Sequence, residues 1–177
     1  LPSTLENARK WILIGLYVGQ RVSDLLNLKP SQLRFIENGV YIDINQQKTD
    51  KYVTVGVVDK EVIQILKKNF PYSISAQLFN RQIKQICQIA GIYEMVSGYK
   101  LCIKTRRKRL GTHPKYSLIS SHDLRRSFAT NYFGKIETPI LMQITGHSKE
   151  STFLSYIGSQ VNKDTYADAF MKIAATL

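Results

Sequence analysis

Six side chains, far apart in the sequence, could together break and remake a phosphodiester bond. They are Arg21, Lys48, His122, Arg125, His147 and Tyr156. A tyrosine phenol can attack phosphorus, and guanidinium groups suit the negative charge that then spreads over the non-bridging oxygens, since they stay protonated and present paired donors. Free tyrosine, with a pKa of about 10, is a poor nucleophile at neutral pH, so His122 is our candidate base and Lys48 our candidate acid for the leaving oxygen. His147 would donate a hydrogen bond to a non-bridging oxygen.

Each of these residues has a simpler interpretation when it is taken alone. An arginine at a helix start is generally a surface or capping residue, a lysine in a turn is generally solvated, and an isolated histidine generally belongs to the core or the surface. The chain has no Gly-rich phosphate loop and no acidic cluster typical of bound magnesium. Cys87, Cys102 and His113 have no recognisable metal-ligand spacing. We therefore expect no cofactor.

The charge balance favours a polyanionic partner. The chain has 25 Lys and Arg against 13 Asp and Glu, a formal net charge of +12 and a pI near 9.7. Nucleic acid is the partner that this surplus favours, with an anionic membrane surface and a merely basic enzyme as alternatives. The longest apolar run, 11–19, is too short to span a bilayer. The two cysteines form no disulfide framework and no signal peptide precedes them, so we expect a cytoplasmic protein.

The elements that must position these residues are mostly helices. Apolar periodicity predicts a helix from Ser3 or Thr4 to about Gly19, a short second helix after Arg21 that Pro30 stops, and later helices over 59–69 and 75–90 and near Ser121, Thr138, Lys149 and Asn162. Strand-like runs at 33–36, 40–44 and 52–57 predict a three-stranded antiparallel sheet, with Lys48 on its second turn. The expected fold class is α+β, one mainly helical domain over 1–177 with a small sheet near the N-terminal third.

A strongly basic segment lies between the predicted helices. Residues 100–115 include seven Lys or Arg and no acid. We interpret the segment as a loop that contacts phosphates, with a plain solvated loop as the alternative. The candidate DNA-backbone contacts are Lys104, Arg106, Arg107, Lys108 and Arg109.

The order and surroundings of the six residues resemble the catalytic domain of the tyrosine recombinase family, also called phage integrases, over about 9–166. The resemblance rests on the segment 18–25, on Lys48, on His122-Asp123-Leu124-Arg125, and on Gly146-His147 followed nine residues later by Tyr156. It implies two catalytic arginines (Arg21 and Arg125), a sheet-turn lysine (Lys48), two histidines (His122 and His147) and the nucleophile Tyr156. Asp24 is interpreted as a carboxylate that supports Arg21 or only caps the helix. The chain departs from the family at Thr145, where Leu is common, and in a long basic segment from Tyr93 to Ser117.

The resemblance also implies an activity and partners. These are site-specific recombination of double-stranded DNA by the integrase of a mobile element, through a 3′-phosphotyrosyl intermediate and without metal or ATP, in a bacterial nucleoid. The family works as a homotetramer that often exchanges its C-terminal helix, here 162–177. The alternatives are a topoisomerase of the same chemistry and a catalytically inactive DNA-binding regulator. Tyr166 is the nearest rival nucleophile, but it lacks the spacing from His147. Because the chain begins with Leu1 in a helical pattern, we expect a fragment without its N-terminal DNA-binding region.

Overall fold

The computed structural model describes residues 1–102, 105–158, 171, 174 and 175, and that part of the chain is mainly helical with two small antiparallel sheets. The helices are α1 (Ser3–Val18), α2 (Val22–Leu26), α3 (Lys60–Lys68), α4 (Ala76–Ile89), α5 (Ser121–Tyr132), α6 (Thr138–Thr145) and α7 (Glu150–Ile157). The strands are β1 (Leu33–Ile36), β2 (Gly39–Gln46), β3 (Lys51–Val57), β4 (Met95–Cys102) and β5 (Arg107–Pro114). The predicted α+β class is confirmed.

The first sheet has one apolar face, and its second turn contains Lys48. Its order is β1-β2-β3, all antiparallel, and β2 pairs with β3 from Val40↔Val57 to Gln46↔Lys51. Alternate side chains of β2 and β3 point into the protein because strand side chains alternate between faces. The turn at 47–50, which contains Lys48, therefore projects from the end of a well-anchored sheet.

A large apolar cluster, here called the first core, joins this sheet to the N-terminal helices. Helix α1 contributes a fully buried stripe at helical spacing: Ala8, Trp11, Ile14 and Val18. The buried faces of the sheet, α2, α3 and α4 pack against it. Trp11 is also fixed in direction, since its Nε1 donates a hydrogen bond to the Tyr72 carbonyl at 2.9 Å. The first core thus holds the start of α2 and the β2–β3 turn in one rigid unit.

A smaller cluster, here called the second core, consists of Phe128, Ala129, Leu141, Phe153 and Ile157 from α5, α6 and α7. Helix α5 belongs to both cores. Leu124 packs in the first core and Phe128, one turn later, packs in the second. The helix therefore fixes the two cores against each other along a seam, and Arg125 lies between those two contacts.

The prediction of a loop over the basic segment is wrong. Strands β4 and β5 form a hairpin paired from Met95↔Pro114 to Cys102↔Arg107, followed by a 3₁₀ turn that leads to α5. Most of its side chains are exposed on both faces. The hairpin therefore lacks the apolar and polar alternation that reveals a half-buried strand. Lys104 lies outside the described residues, as do Tyr166 and most of the helix expected over 162–177.

Candidate active site

One cleft of about 490 Å³ opens along the seam between the two cores. The structure brings all six predicted catalytic side chains to it, and its lining is Gln20, Arg21, Val22, Ser23, Lys48, Ser121, His122, Arg125, His147 and Tyr156. They come from the start of α2, the β2–β3 turn, α5, the segment after α6, and α7. Residues separated by more than a hundred positions thus face a single cleft.

Arg125 forms the buried wall of this cleft. Its side chain is 2% exposed, Nη1 donates to the Gly19 carbonyl at 3.0 Å, and Nη2 donates to the Thr145 carbonyl. These two bonds join α5 to the end of α1 and to the end of α6. They fix the plane of the guanidinium, so its position does not depend on a ligand.

Arg21 lies beside Arg125 and has an unused donor. Its Nη1 is buried and has no hydrogen-bond partner in the described part of the chain. The ion pairs between described residues all lie elsewhere. A buried donor without a partner is costly, because the group has lost water and gained nothing in return. Two neighbouring guanidiniums with a free donor form a site for an anion.

A buried amide network that sequence reasoning missed lies behind the arginines. Gln46 Nε2 donates to Gln20 Oε1 at 2.8 Å and to the Ile144 carbonyl at 2.9 Å, and Gln20 Nε2 donates to the same carbonyl at 2.8 Å. Both glutamines are at most 2% exposed. The network ties the residue before Arg21 and the end of β2 to the end of α6. Gln20 directly precedes Arg21 and Gln46 lies two residues before Lys48, and glutamines at such positions are too common to reveal the network.

Asp24 anchors the turn that carries Lys48. Its carboxylate is buried, and Oδ1 accepts a hydrogen bond from the Gln47 backbone nitrogen at 3.1 Å. Sequence interpretation linked Asp24 to Arg21 or to the helix cap and did not include this contact. The bond holds the residue before Lys48, while the Lys48 side chain itself is exposed and free to extend into the cleft.

Tyr156 lies between the two histidine rings. Its ring centroid is 5.0 Å from that of His122, in a T-shaped arrangement, and 5.0 Å from that of His147. The phenol hydroxyl makes a long hydrogen bond, 3.4 Å, to the His122 carbonyl. This packing keeps the phenol in the same cleft as both arginines.

Comparison with known proteins identifies the family. Residues 5–163 match the family model of the phage integrase family, which is most of the chain. The chain belongs to the phage integrase family. The resemblance found from the motifs is therefore confirmed. The chain is also 29% identical over 164 residues to a tyrosine recombinase of Pseudothermotoga lettingae, covering 89% of this chain and 52% of the relative. It thus spans about half the length of that curated relative.

Solved structures of recombinases and integrases have the same fold. The XerH site-specific recombinase bound to its difH substrate superposes with a TM-score of 0.65 at 20% identity, over 96% of this chain and 47% of XerH. The Tn1549 transposon integrase bound to transposon right end DNA gives 0.64 at 16% identity, over 96% and 59%. A lambda integrase dimer bound to a core site gives 0.62 at 18% identity, over 92% and 56%. These likenesses confirm the fold.

Burial is the main influence on the protonation states of the side chains in this cleft. Burial and the cation Arg21 lower the pKa of Arg125 to about 10, so it remains charged at neutral pH. Burial raises the pKa of Tyr156, with Arg125 acting in the opposite direction. The phenol therefore stays protonated near pH 7 and needs a base before it can attack.

The two histidines of the cleft, His122 and His147, are neutral at pH 7. Burial lowers the pKa of His122 although Asp123 acts to raise it, and the nearby arginines lower it further. Burial, Arg125 and Arg21 lower the pKa of His147 to about 4. A neutral imidazole can accept a proton, which is what a base for Tyr156 must do.

The described residues lack two kinds of feature. Among the residues that the structure describes, no group of three or more His, Cys, Asp or Glu could hold a metal ion. In the same part of the chain, no helix is long and apolar enough to cross a membrane.

Proposed function

We propose that the protein is a site-specific DNA recombinase, the integrase of a mobile element, and that residues 1–177 act as its catalytic domain. Tyr156 attacks a DNA phosphate, forms a 3′-phosphotyrosyl link and releases a 5′ hydroxyl. The hydroxyl of another strand then attacks the link and expels the tyrosine. The observation that carries this proposal is the buried, unpartnered donor of Arg21 beside Arg125, in the cleft that also contains a tyrosine.

The two arginines stabilise the pentacoordinate transition state. Attack on phosphorus places negative charge on the non-bridging oxygens, and fixed guanidiniums meet that charge without reorganisation. Arg125 is held by two backbone carbonyls and keeps further N–H groups for the phosphate. Removing one such donor costs about 10²–10³-fold in rate in other enzymes. We propose that this clamp replaces metal and nucleotide cofactors.

Two proton transfers complete each step. His122, neutral and in ring contact with Tyr156, takes the phenol proton during attack. Lys48, on the exposed turn held by Asp24, gives a proton to the departing 5′ oxygen. His147 contacts a non-bridging oxygen. The reverse transfers apply when a 5′ hydroxyl attacks the phosphotyrosine, since the same path must serve both directions.

The proposed partner is double-stranded DNA, engaged by a tetramer on two synapsed sites in the bacterial nucleoid. The net charge of +12 supports binding to a polyanion. Arg106, Arg107, Lys108 and Arg109, at the exposed tip of the β4–β5 hairpin, are proposed to contact the DNA backbone. The related XerH and lambda integrase structures are DNA complexes, the latter a dimer. Exchange of 162–177 between protomers is part of the proposal.

Trapping a covalent protein–DNA adduct tests the chemistry. The protein is incubated with a labelled pool of random duplexes carrying a nick near each end, so that the cleaved fragment diffuses away and religation fails. A denaturing gel should show an adduct that is absent in Tyr156→Phe and retained in the matched control Tyr166→Phe. Sequencing the trapped DNA then gives the target site. An adduct that persists in Tyr156→Phe, or one lost only in Tyr166→Phe, contradicts the assignment.

A second measurement separates recombination from topoisomerase activity. Plasmids carrying two copies of the trapped site should yield joined products. Relaxation of supercoils without any joining would show a topoisomerase instead. Sequence-specific binding without any adduct would show a regulator that has lost catalysis.

A further inference from the structure

The hydroxyl of Thr145 is a buried link between the α6 backbone and the His147 ring. Thr145 is fully buried, and its Oγ1 lies 2.6 Å from the Leu141 carbonyl oxygen and 2.8 Å from His147 Nδ1. A hydroxyl has one proton to donate. Two oxygens 2.6 Å apart need a proton between them, so this proton points to Leu141. The lone pairs of Oγ1 then face His147, and Nδ1 must carry a proton to make its hydrogen bond.

We infer that Thr145 is a positioning residue that holds His147 in the Nδ1–H tautomer and makes its hydrogen bond to the scissile phosphate depend on ring protonation. The inference rests on the proposed function. In the neutral Nδ1–H ring, Nε2 carries a lone pair, which repels a phosphate oxygen. In the imidazolium both nitrogens are donors. His147 can therefore serve the phosphate only as a cation.

The surroundings of His147 keep it neutral until an anion arrives. Three cations line the cleft with it: Arg21, Lys48 and Arg125. His122 and Tyr156, which also face it there, are uncharged at neutral pH. On its other side His147 lines a groove with Lys51 and Glu150. The low pKa of His147, about 4, agrees with this excess of positive charge and with burial.

A DNA phosphate in the cleft changes that balance. Its negative charge offsets the arginines and favours the imidazolium, so the pKa of His147 rises when the phosphate binds. Protonation and binding are then linked, and the ring becomes a charge-assisted donor only beside its target. A neutral Nε2–H ring would donate whether or not a proton had been taken up. The Thr145 hydroxyl removes that alternative.

The Thr145 carbonyl strengthens the coupling. It accepts a hydrogen bond from Arg125 Nη2, while the hydroxyl of the same residue holds the His147 ring. The last residue of α6 thus sets the positions of two groups on one phosphate.

The tautomer can be measured directly, without DNA. The chain has three histidines, so ¹⁵N labelling of histidine gives few ring signals, and His147→Gln identifies the one to follow. At pH 7 we expect a protonated Nδ1 and an unprotonated Nε2 in the unaltered protein and in Thr145→Ser. Thr145→Val, which has nearly the same shape, should shift the signals toward the Nε2–H tautomer. Ser117→Ala removes a buried hydroxyl bonded to the Pro114 carbonyl and should leave them unchanged.

The pH profile of adduct formation tests the functional consequence. Above the His147 pKa in the DNA complex, the unaltered protein should lose rate by about tenfold per pH unit, because one proton is required. The rate of Thr145→Ser should fall with pH in the same way as that of the unaltered protein. Thr145→Val should lose less than about threefold over the same interval, since its neutral ring can donate.

The outcomes separate this inference from the proposed function. A bare Nδ1 in the unaltered protein, or the same tautomer in Thr145→Val, overturns the inference whatever the protein does to DNA. Identical pH profiles for the unaltered protein and Thr145→Val overturn its catalytic part. If no variant forms an adduct while the Nδ1–H tautomer is present, the proposed function fails and the structural role of Thr145 stands.

Discussion

Gly19→Ala tests how the fold holds Arg125. Gly19 has a φ of 66°, and a Cβ added there would lie 2.3 Å from Cδ1 of Phe128. Alanine in the left-handed region costs about 1–2 kcal/mol. Pushing the buried Phe128 ring aside adds about 1–3 kcal/mol, as for other overpacked cores. The free energy of unfolding should therefore fall by about 2–5 kcal/mol.

Gly91→Ala is the matched control for this substitution. Gly91 has a φ of 78°, but a Cβ there meets nothing within 4 Å. It should show only the conformational cost, about 1–2 kcal/mol. Urea denaturation measures both variants, and their slopes should agree because the surface exposed on unfolding is unchanged. Adding Phe128→Leu to each variant should recover part of the loss in Gly19→Ala and none in Gly91→Ala.

Equal losses of stability in Gly19→Ala and Gly91→Ala would refute the reasoning, since the contact with Phe128 would then cost nothing. The functional readout is independent of stability. The Gly19 carbonyl accepts from Arg125 Nη1, so a shift of this residue should misplace the guanidinium and slow adduct formation at a temperature where the variant is folded. Gly91→Ala should react normally.

Four further predictions concern the proposed chemistry and DNA binding. Lys48→Ala should lose adduct formation on ordinary DNA and regain most of it on DNA with a 5′-bridging sulfur, because a thiolate leaves without a proton; no recovery would exclude Lys48 as the acid. Asp24→Ala should show the same recovery, and its loss should not add to that of Lys48→Ala, whereas additive losses would separate the two residues. Burial lowers the pKa of His122 in the DNA-free protein. The rate should rise with pH through the His122 pKa of the DNA complex, since the base must be unprotonated, and a profile unchanged in His122→Ala would contradict that role. Alanine substitutions should flatten the salt dependence of DNA binding by about one unit of log–log slope per lost contact when they replace Arg107, Lys108 and Arg109 of the hairpin. An unchanged slope would indicate a solvated hairpin.

The helices around the site were predictable because strong local signals mark them. Gly19 ends α1, Pro30 follows the short helix after Arg21, and the alternation of Val, Ile and polar residues marks β2 and β3. The prediction that six distant residues share one site came from the family motifs rather than from these local patterns. The structure brings those side chains together, while their catalytic roles stay predictions.

Other features could not be read from sequence, for definite physical reasons. The β4–β5 hairpin is exposed on both faces, so its sequence has no alternation of apolar and polar residues that would indicate a strand. The Gln20–Gln46 bond joins residues 26 positions apart, and Arg125 bonds carbonyls that any residue could supply. The Thr145 hydroxyl acts on a neighbour two residues away, but only the burial of α6 fixes its direction. Such contacts depend on tertiary packing, which local patterns do not specify.

The unequal size of the two cores has a consequence for motion. In the described part of the chain, nineteen buried side chains form the first core and five form the second. Local unfolding costs less where fewer apolar contacts must be broken, so amide protons in α7 should exchange with solvent sooner than those in α1 or β2. The tyrosine would then be carried by the part of the domain that opens most readily, while Arg21 and the Lys48 turn remain protected. If Tyr156 is the nucleophile, as we propose, opening of α7 alone withdraws and returns it between one strand and the next while α5 and α6 still hold Arg125.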